Sequence, residues 1–272
     1  MATIFTTTFD IPAWTQTDGL SDAQLAPSGD GIAGDLGNTT TLGAEDQIAS
    51  AANNSAGGGG LGFRHWVGDG LNNNGGGIRI SFAATTEMWV RYYIKHPLGF
   101  AYNGSGNMKT IYANGDIATF YFGYFFGEMG GHIENDSGFG TSVGNHLARA
   151  SGEYAPFTLV AKTFADWQGG ATGDGQWHYL ELHVKVNSAP AVGDGIFEFW
   201  VDGVKCYSNS GCRFNPTDTS GWTSIRIGSN QNEPANGADM PIDFDDIVVS
   251  NSGYIGPLAG ATTHTRSVIF LG

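Results

Sequence analysis

The stretch GDGQWHYLELHVKVN, residues 173–187, decides how this chain folds. Leu180, Leu182, Val184 and Val186 alternate with Tyr179, Glu181, His183 and Lys185. A period of two puts the aliphatic set on one face of a strand and the polar set on the other; a helix would repeat every three or four residues. The stretch is therefore a half-buried strand.

The same reading extends outward. MWVRYYIKH, residues 88–96, sets Val90, Tyr92 and Ile94 against Trp89, Arg91, Tyr93 and Lys95. GIFEFWVDG, residues 195–203, is a strand that ends in an Asp-Gly turn at Asp202. Further strands are expected at residues 3–9, 62–67, 78–82, 108–113, 117–126, 159–164, 223–228 and 244–250. Residues 69–77, DGLNNNGGG, form a turn, since Asn and Gly reach positive φ cheaply. Residues 127–156 are rich in turn formers and carry no strand assignment. No fixed-period repeat or helical periodicity is present. Short strands separated by turns predict an all-β, two-sheet antiparallel β-sandwich.

Composition agrees. The 272 residues include 43 glycines, and only 14% are charged, which argues against coiled coils and long amphipathic helices. Aromatic residues reach 12%, too many for a disordered linker. The net charge of −14 argues against a nucleic-acid partner and disfavours strongly anionic polysaccharides unless a local basic cleft exists. The longest apolar run, residues 117–126, is too short to span a bilayer. No signal peptide is visible at the N-terminus. Residues 1–258 read as a single domain with a Gly-rich excursion at 15–60, and 259–272 as a C-terminal tail. Its apolar SVIFL is open to two readings, a last core strand or an arm that adds to a neighbouring subunit and makes a homo-oligomer. Cys206 and Cys212 flank YSNSG; a disulfide pinning that loop and a pair of thiols both remain open.

Taken in order, DGQWHYLELHVKVN, DGIFEFWVDG, SIRIGSN, PIDFDDIVVS and YIGP resemble the C-terminal half of concanavalin A-like lectin/glucanase jelly rolls. That superfamily includes laminin-G-like domains, legume-type lectins, family 16 glucanases and several polysaccharide lyases. FDIPAW, residues 9–14, resembles the opening strand of such domains, and GFRHWVGDG and MWVRYYIKHPLGF resemble middle strands of lyase-like members from bacteria and phages. The resemblance implies a carbohydrate-type sandwich. It leaves activity open, because this fold hosts many functions. Jelly rolls of this type often hold a structural calcium ion between the first and last strands, so it points to Asp10, Asp245 and Asp246 as calcium ligands.

Four chemistries bear on these residues. A retaining glycosidase needs two carboxylates about 5–5.5 Å apart; the E-x-D-x-E triplet of family 16 is absent, and Glu181 and Glu198 stand alone on their strands. Polysaccharide β-elimination needs a base and a cation that neutralises the uronate; Tyr93 or His183 would be the base, Arg91 and Lys95 the neutralisers. The lyase motifs R-x-E-x-R, Q-I-H and Y-K-A-G-x-Y-N-Q are absent. Glycan binding without turnover would use Trp89, Arg91, Tyr93, Trp177 and Tyr179 as an outward-facing platform. Nucleophile elbows and phosphate loops have no support. The expectation is a non-catalytic carbohydrate-binding or decoration module on a particle surface, a phage virion protein foremost; a polysaccharide lyase is the alternative.

Overall fold

The computed structural model describes residues 2–10, 32–33, 47–54, 60–67, 77–101, 107–115, 119–125, 128–134, 146–148, 173–190, 192–212, 214, 219–228 and 240–259. These residues form two antiparallel sheets and a single 3-10 turn at Ser50–Ala52. One sheet has eight strands: β1 (Thr3–Thr7), β3 (Gln47–Ala49), β4 (Gly62–Val67), β6 (Glu87–Lys95), β11 (Trp177–Lys185), β12 (Gly195–Val201), β13 (Val204–Cys212) and β15 (Met240–Ser250). Its order is β13-β12-β11-β6-β15-β4-β3, with β1 also paired to β15. The other has seven: β2 (Ile32–Ala33), β5 (Ile78–Thr85), β7 (Asn107–Gly115), β8 (Thr119–Phe125), β9 (Glu128–Glu134), β10 (His146–Ala148) and β14 (Trp222–Ile227). It runs β10-β9-β8-β7-β14-β5-β2. Among the described residues no helix is long and apolar enough to cross a membrane.

The alternation read from residues 173–187 decides the core. Leu180, Leu182 and Val184 are buried between the sheets, as are Val90, Tyr92 and Ile94 on β6 and Phe197 and Phe199 on β12. The seven-stranded sheet answers with Ile78, Ile80, Ile111, Phe120, Phe122, Ile225 and Ile227. Rings meet across the gap, Phe120 to Phe197 at 4.8 Å and Phe122 to Phe199 at 5.1 Å. Each such side chain contributes about 1.5–3 kcal/mol by leaving water.

Two turns of backbone set the geometry of the larger sheet. Asp202, at φ 48°, and Gly203, at φ 81°, close the β12–β13 hairpin, and the Asp202 carboxylate accepts from Tyr179 N at 3.0 Å. On β15 the partner of Asp245 is Tyr93, but the partner of Val248 is Arg91, so one extra residue sits in β15. Asp246, at φ 50°, absorbs it. The bulge shifts the alternation by one, which keeps Phe244 and Ile247 both in the core. It also divides β15 between two neighbours on one side, β4 against residues 240–244 and β1 against 247–250.

Three expectations need correction or fall elsewhere. YSNSG is not a loop; it is part of β13, and Cys206 and Cys212 are two buried thiols of that one strand. Six residues of strand separate them by about 20 Å, far beyond the roughly 7 Å Cα limit for a bridge. The disulfide reading of Cys206 and Cys212 is thus overturned, and reductant is expected to leave the melting temperature unchanged. A drop of several degrees in dithiothreitol would contradict the strand assignment. Strands β9 and β10 lie in 127–156, where turn formers had hidden them. The expected strand at 159–164, most of the 15–60 excursion and the tail beyond residue 259 lie outside the described residues.

Candidate functional site

The sequence-derived candidates gather on the outer face of the eight-stranded sheet, but there they are occupied. In the β6–β11 register Tyr179 pairs with Tyr93, Glu181 with Arg91 and His183 with Trp89. Residues 251–258 turn back over them. Ile255 N and Gly256 N donate to the Glu181 carboxylate at 2.6 and 2.9 Å, and Leu258 N donates to Tyr93 Oη at 3.0 Å. Arg91 donates to Gly256 O at 3.1 Å. Arg91, Tyr93 and Tyr179 are only 5%, 4% and 3% exposed. Alternation had put these side chains away from the core, correctly, but it could not reveal the layer that covers them.

The remaining candidates of that face are also engaged. Lys95 lies 2.9 Å from the buried Asp243 carboxylate, which also takes Arg64 at 2.7 Å. His183 is held between Glu198, at 2.9 Å, and Glu87, at 3.0 Å, and Trp89 stacks on its ring at 4.0 Å. Trp177 is half-buried under the Lys95 ammonium, 4.8 Å from its ring centre. Burial resists the Glu198 charge, but hydrogen bonds from Lys205, His183 and Ser208 prevail and hold that carboxyl down at about 2. These are the contacts of a braced surface. None of Tyr93, His183, Arg91 and Lys95 is poised to reach a uronate, and Arg91, Tyr93 and Tyr179 offer no open stacking platform.

The expected calcium ligands Asp10, Asp245 and Asp246 each accept N–H donors. Asp10 Oδ1 accepts from Leu61 N at 2.6 Å. Asp245 Oδ2 accepts from Asn54 N at 2.7 Å, and Asp246 Oδ2 from Asn54 Nδ2 at 2.8 Å. Gly60 is needed here: a Cβ on it would sit 1.8 Å from Asp10 Oδ1. As arranged, these oxygens are spent on N–H donors, and among the described residues no group of three His, Cys, Asp or Glu side chains is placed to hold a metal ion. Burial, with the charges of Asp246 and Asp10 behind it, pushes the Asp245 carboxyl up to about 8 against the N–H groups of Asn54 and Asp246. A folded-state value above the unfolded one contributes stability that is complete below about pH 4 and is lost as pH rises toward 8. Asp245→Asn should therefore flatten the fall in melting temperature between about pH 5 and pH 8. Parallel profiles for the two proteins would count against this cluster as the source.

The outer face of the seven-stranded sheet carries a different set. Ile78-Arg79-Ile80 on β5 pairs in antiparallel register with Ile225-Arg226-Ile227 on β14. The four isoleucines are fully buried, so both arginines point outward, directly opposite one another. Arg226 also pairs with Tyr112 of β7, and the backbone register continues through Tyr121 of β8 to His132 of β9. At about 4.8 Å per strand the row is about 19 Å long. Ser81 and Ser224 form the next outward step beside the arginines. Like charges directly opposite are destabilising, yet no described acidic group pairs with Arg79 or Arg226. Their Nε atoms are buried without an acceptor. This is the local basic strip that the overall charge concealed. The two I-R-I triplets were its sequence signal, because each isolates one arginine between two core isoleucines.

Comparison with known proteins supports the architecture. No family model and no curated protein sequence matches the chain. Among solved structures it is similar to a PL-14 alginate lyase from Aplysia kurodai, at 13% identity and TM-score 0.55 over 92% of this chain and 100% of that one. It is also similar to cellulose induced protein Cip1, at 15% identity and TM-score 0.55 over 83% and 92%. An endo-β-1,4-glucuronan lyase from the fungus Trichoderma reesei aligns at 10% identity and TM-score 0.50 over 88% and 95%. The chain therefore has the two-sheet jelly-roll fold of the concanavalin A-like proteins.

Proposed function

We propose that the outer face of the seven-stranded sheet binds an acidic polysaccharide, with a sugar carboxylate seated between Arg79 and Arg226. The observation that carries this reading is the direct pairing of two outward arginines with no described acid beside them. A carboxylate accepts two parallel N–H bonds from a guanidinium, and such charge-assisted bonds are about twice as strong as neutral ones. Ser81, exposed beside Arg79, suits a sugar hydroxyl. The names of two similar structures, an alginate lyase and a glucuronan lyase, support the same ligand class.

Turnover by β-elimination is the second reading. It is favoured by the residue types that follow the arginines in the row, Tyr112, Tyr121 and His132. In that reaction a base takes the C5 proton, a cation neutralises the uronate carboxylate, and the glycosidic oxygen leaves with a proton, creating a C4–C5 double bond. Incubation with a panel of polyuronates, followed by ultraviolet absorbance of the unsaturated ends and by retention on the immobilised polymers, tests both readings. Retention without absorbance leaves a binding module. An absorbance rise abolished by the double variant Arg79→Ala/Arg226→Ala makes it a lyase. Equal retention on neutral glycans rejects the acidic-ligand reading.

We further propose a bound calcium ion and an assembly contact. A calcium ion on Asp10, Asp245 and Asp246 would relieve their mutual repulsion; it predicts a higher melting temperature with calcium at pH 8 and none with Asp245→Ala, and identical melts with calcium and with chelator would dismiss it. A particle-surface subunit joined through residues 259–272 predicts an oligomer that dissociates when they are removed; a monomer in both forms would dismiss that.

A further inference from the structure

Residues 251–258 leave the end of β15 and run across β6 and β11 as a surface layer whose polar tethers point inward. Their outer side is open: Tyr254 is 40% exposed and Pro257 is exposed. The Tyr254 ring packs on Trp200 at 5.2 Å, and Ile255 and Leu258 are half-buried, so apolar contact covers part of its inner side. A short set of hydrogen bonds fixes its backbone to the sheet, and Glu181 is at their centre. Its side chain has no exposure, and each of its two oxygens takes one backbone N–H, from Ile255 and from Gly256. Gly256 sits at φ 76°, a left-handed conformation that turns its N–H and its C=O toward the sheet, where the C=O meets Arg91. Tyr254 Oη lies 3.2 Å from Tyr179 Oη.

We propose that residues 254–258 are a strap latched by ionised Glu181 and released when that carboxylate takes up a proton. A carboxylate with two acceptor oxygens matches two adjacent N–H donors. A neutral carboxyl gives one oxygen a proton, so both bonds lose their charge assistance and the hydroxyl oxygen becomes a poorer acceptor for its N–H. Burial already favours the neutral form and raises the group above the ordinary glutamate range, while the two strap N–H groups, then Arg91 and His183, oppose the rise. The titratable and charged groups around it are Arg91 and Tyr93 of β6, Tyr179 and His183 of β11, Glu198 of β12 with Lys205 of β13, Asp246 of β15 beside Arg91, and Tyr254 of the strap. Release uncovers Arg91, Tyr93 and Tyr179 together. The strap is on the larger sheet, so this inference is independent of the proposed glycan face.

Hydrogen–deuterium exchange of the full chain at about pH 7.5 and about pH 5, corrected for intrinsic rates, reads the latch directly. A lost charge-assisted bond corresponds to an increase in strap opening on the order of tenfold to a hundredfold at the lower pH, while β12 peptides stay protected. Glu181→Gln should open the strap at both pH values and abolish the difference. Unchanged strap protection in the native chain at the two pH values overturns the proposal. So does a pH difference that survives Glu181→Gln, which would assign the effect to His183 or another neighbour. If Glu181→Gln fails to fold, Gly256→Pro removes one donor and the left-handed turn from outside the sheet. Loss of strap protection at both pH values with β12 intact is then the expected result, and retained protection overturns the latch.

Discussion

Arg79→Ala and Arg226→Ala should each weaken retention on an immobilised polyuronate by on the order of tenfold to a hundredfold, the value of one charge-assisted hydrogen bond. The double variant should lose less than the product of the two, because both guanidiniums address one carboxylate and their effects are coupled. Arg→Lys at either position should recover part of the loss, since the charge returns without the two-pronged geometry. Retention should fall with added salt, because ions screen the attraction between the two guanidiniums and the polymer carboxylates. Neither arginine contributes to the core, so melting temperatures should stay level or rise slightly once two facing like charges are reduced to one. Lys205, on the other sheet beside Glu198, is the control; Lys205→Ala should bind as the parent does. Full retention by the double variant would remove the site from this face.

Phe199→Ala should produce the largest loss of stability. The side chain is fully buried and lies within 5.1 Å of Phe122, 5.9 Å of Phe197 and 6.0 Å of Tyr207. It therefore ties β12 to β13 within one sheet and to β8 across the sandwich. Truncation of a buried phenylalanine costs about 3–5 kcal/mol, the lost transfer energy plus the cavity that close-packed neighbours cannot fill. For a chain of this size that corresponds to a fall in melting temperature on the order of 10 °C. Phe199→Leu, which refills most of the volume, should cost far less. Val204 is 57% exposed, and Val204→Ala should be nearly silent. Equal melts for Phe199→Ala and Val204→Ala would refute the inward orientation on which the sandwich depends.

The fold was legible because its evidence is local. Leu180, Leu182 and Val184 announce a strand without help from any other segment, and so do Val90, Tyr92 and Ile94. Asp202 as a hairpin residue could be read from two letters, and its positive φ bears this out. The site was less legible because its evidence is distant. Arg79 and Arg226 stand almost 150 residues apart, and only the β5–β14 register makes them neighbours. Arg91, Tyr93, Tyr179 and Glu181 mislead for the complementary reason. Alternation states which face a side chain takes; it is silent about a segment such as 251–258 that later lies over that face. β13 was missed because VKCYSNSG carries serine, asparagine and glycine, and pairing with β12 overrides their weak strand preference.

The divided pairing of β15 has a consequence for how the chain is made. One strand near residue 250 supplies ladder bonds to β1, β4 and β6. β1, β4 and β6 leave the ribosome well before β15 and must wait with bare edges until residues 240–250 have emerged. Such long-range closure is slow, and the waiting edges are prone to join other nascent chains. Chaperone demand during synthesis, and poor recovery of molecules shortened before residue 240, follow from that single central ladder.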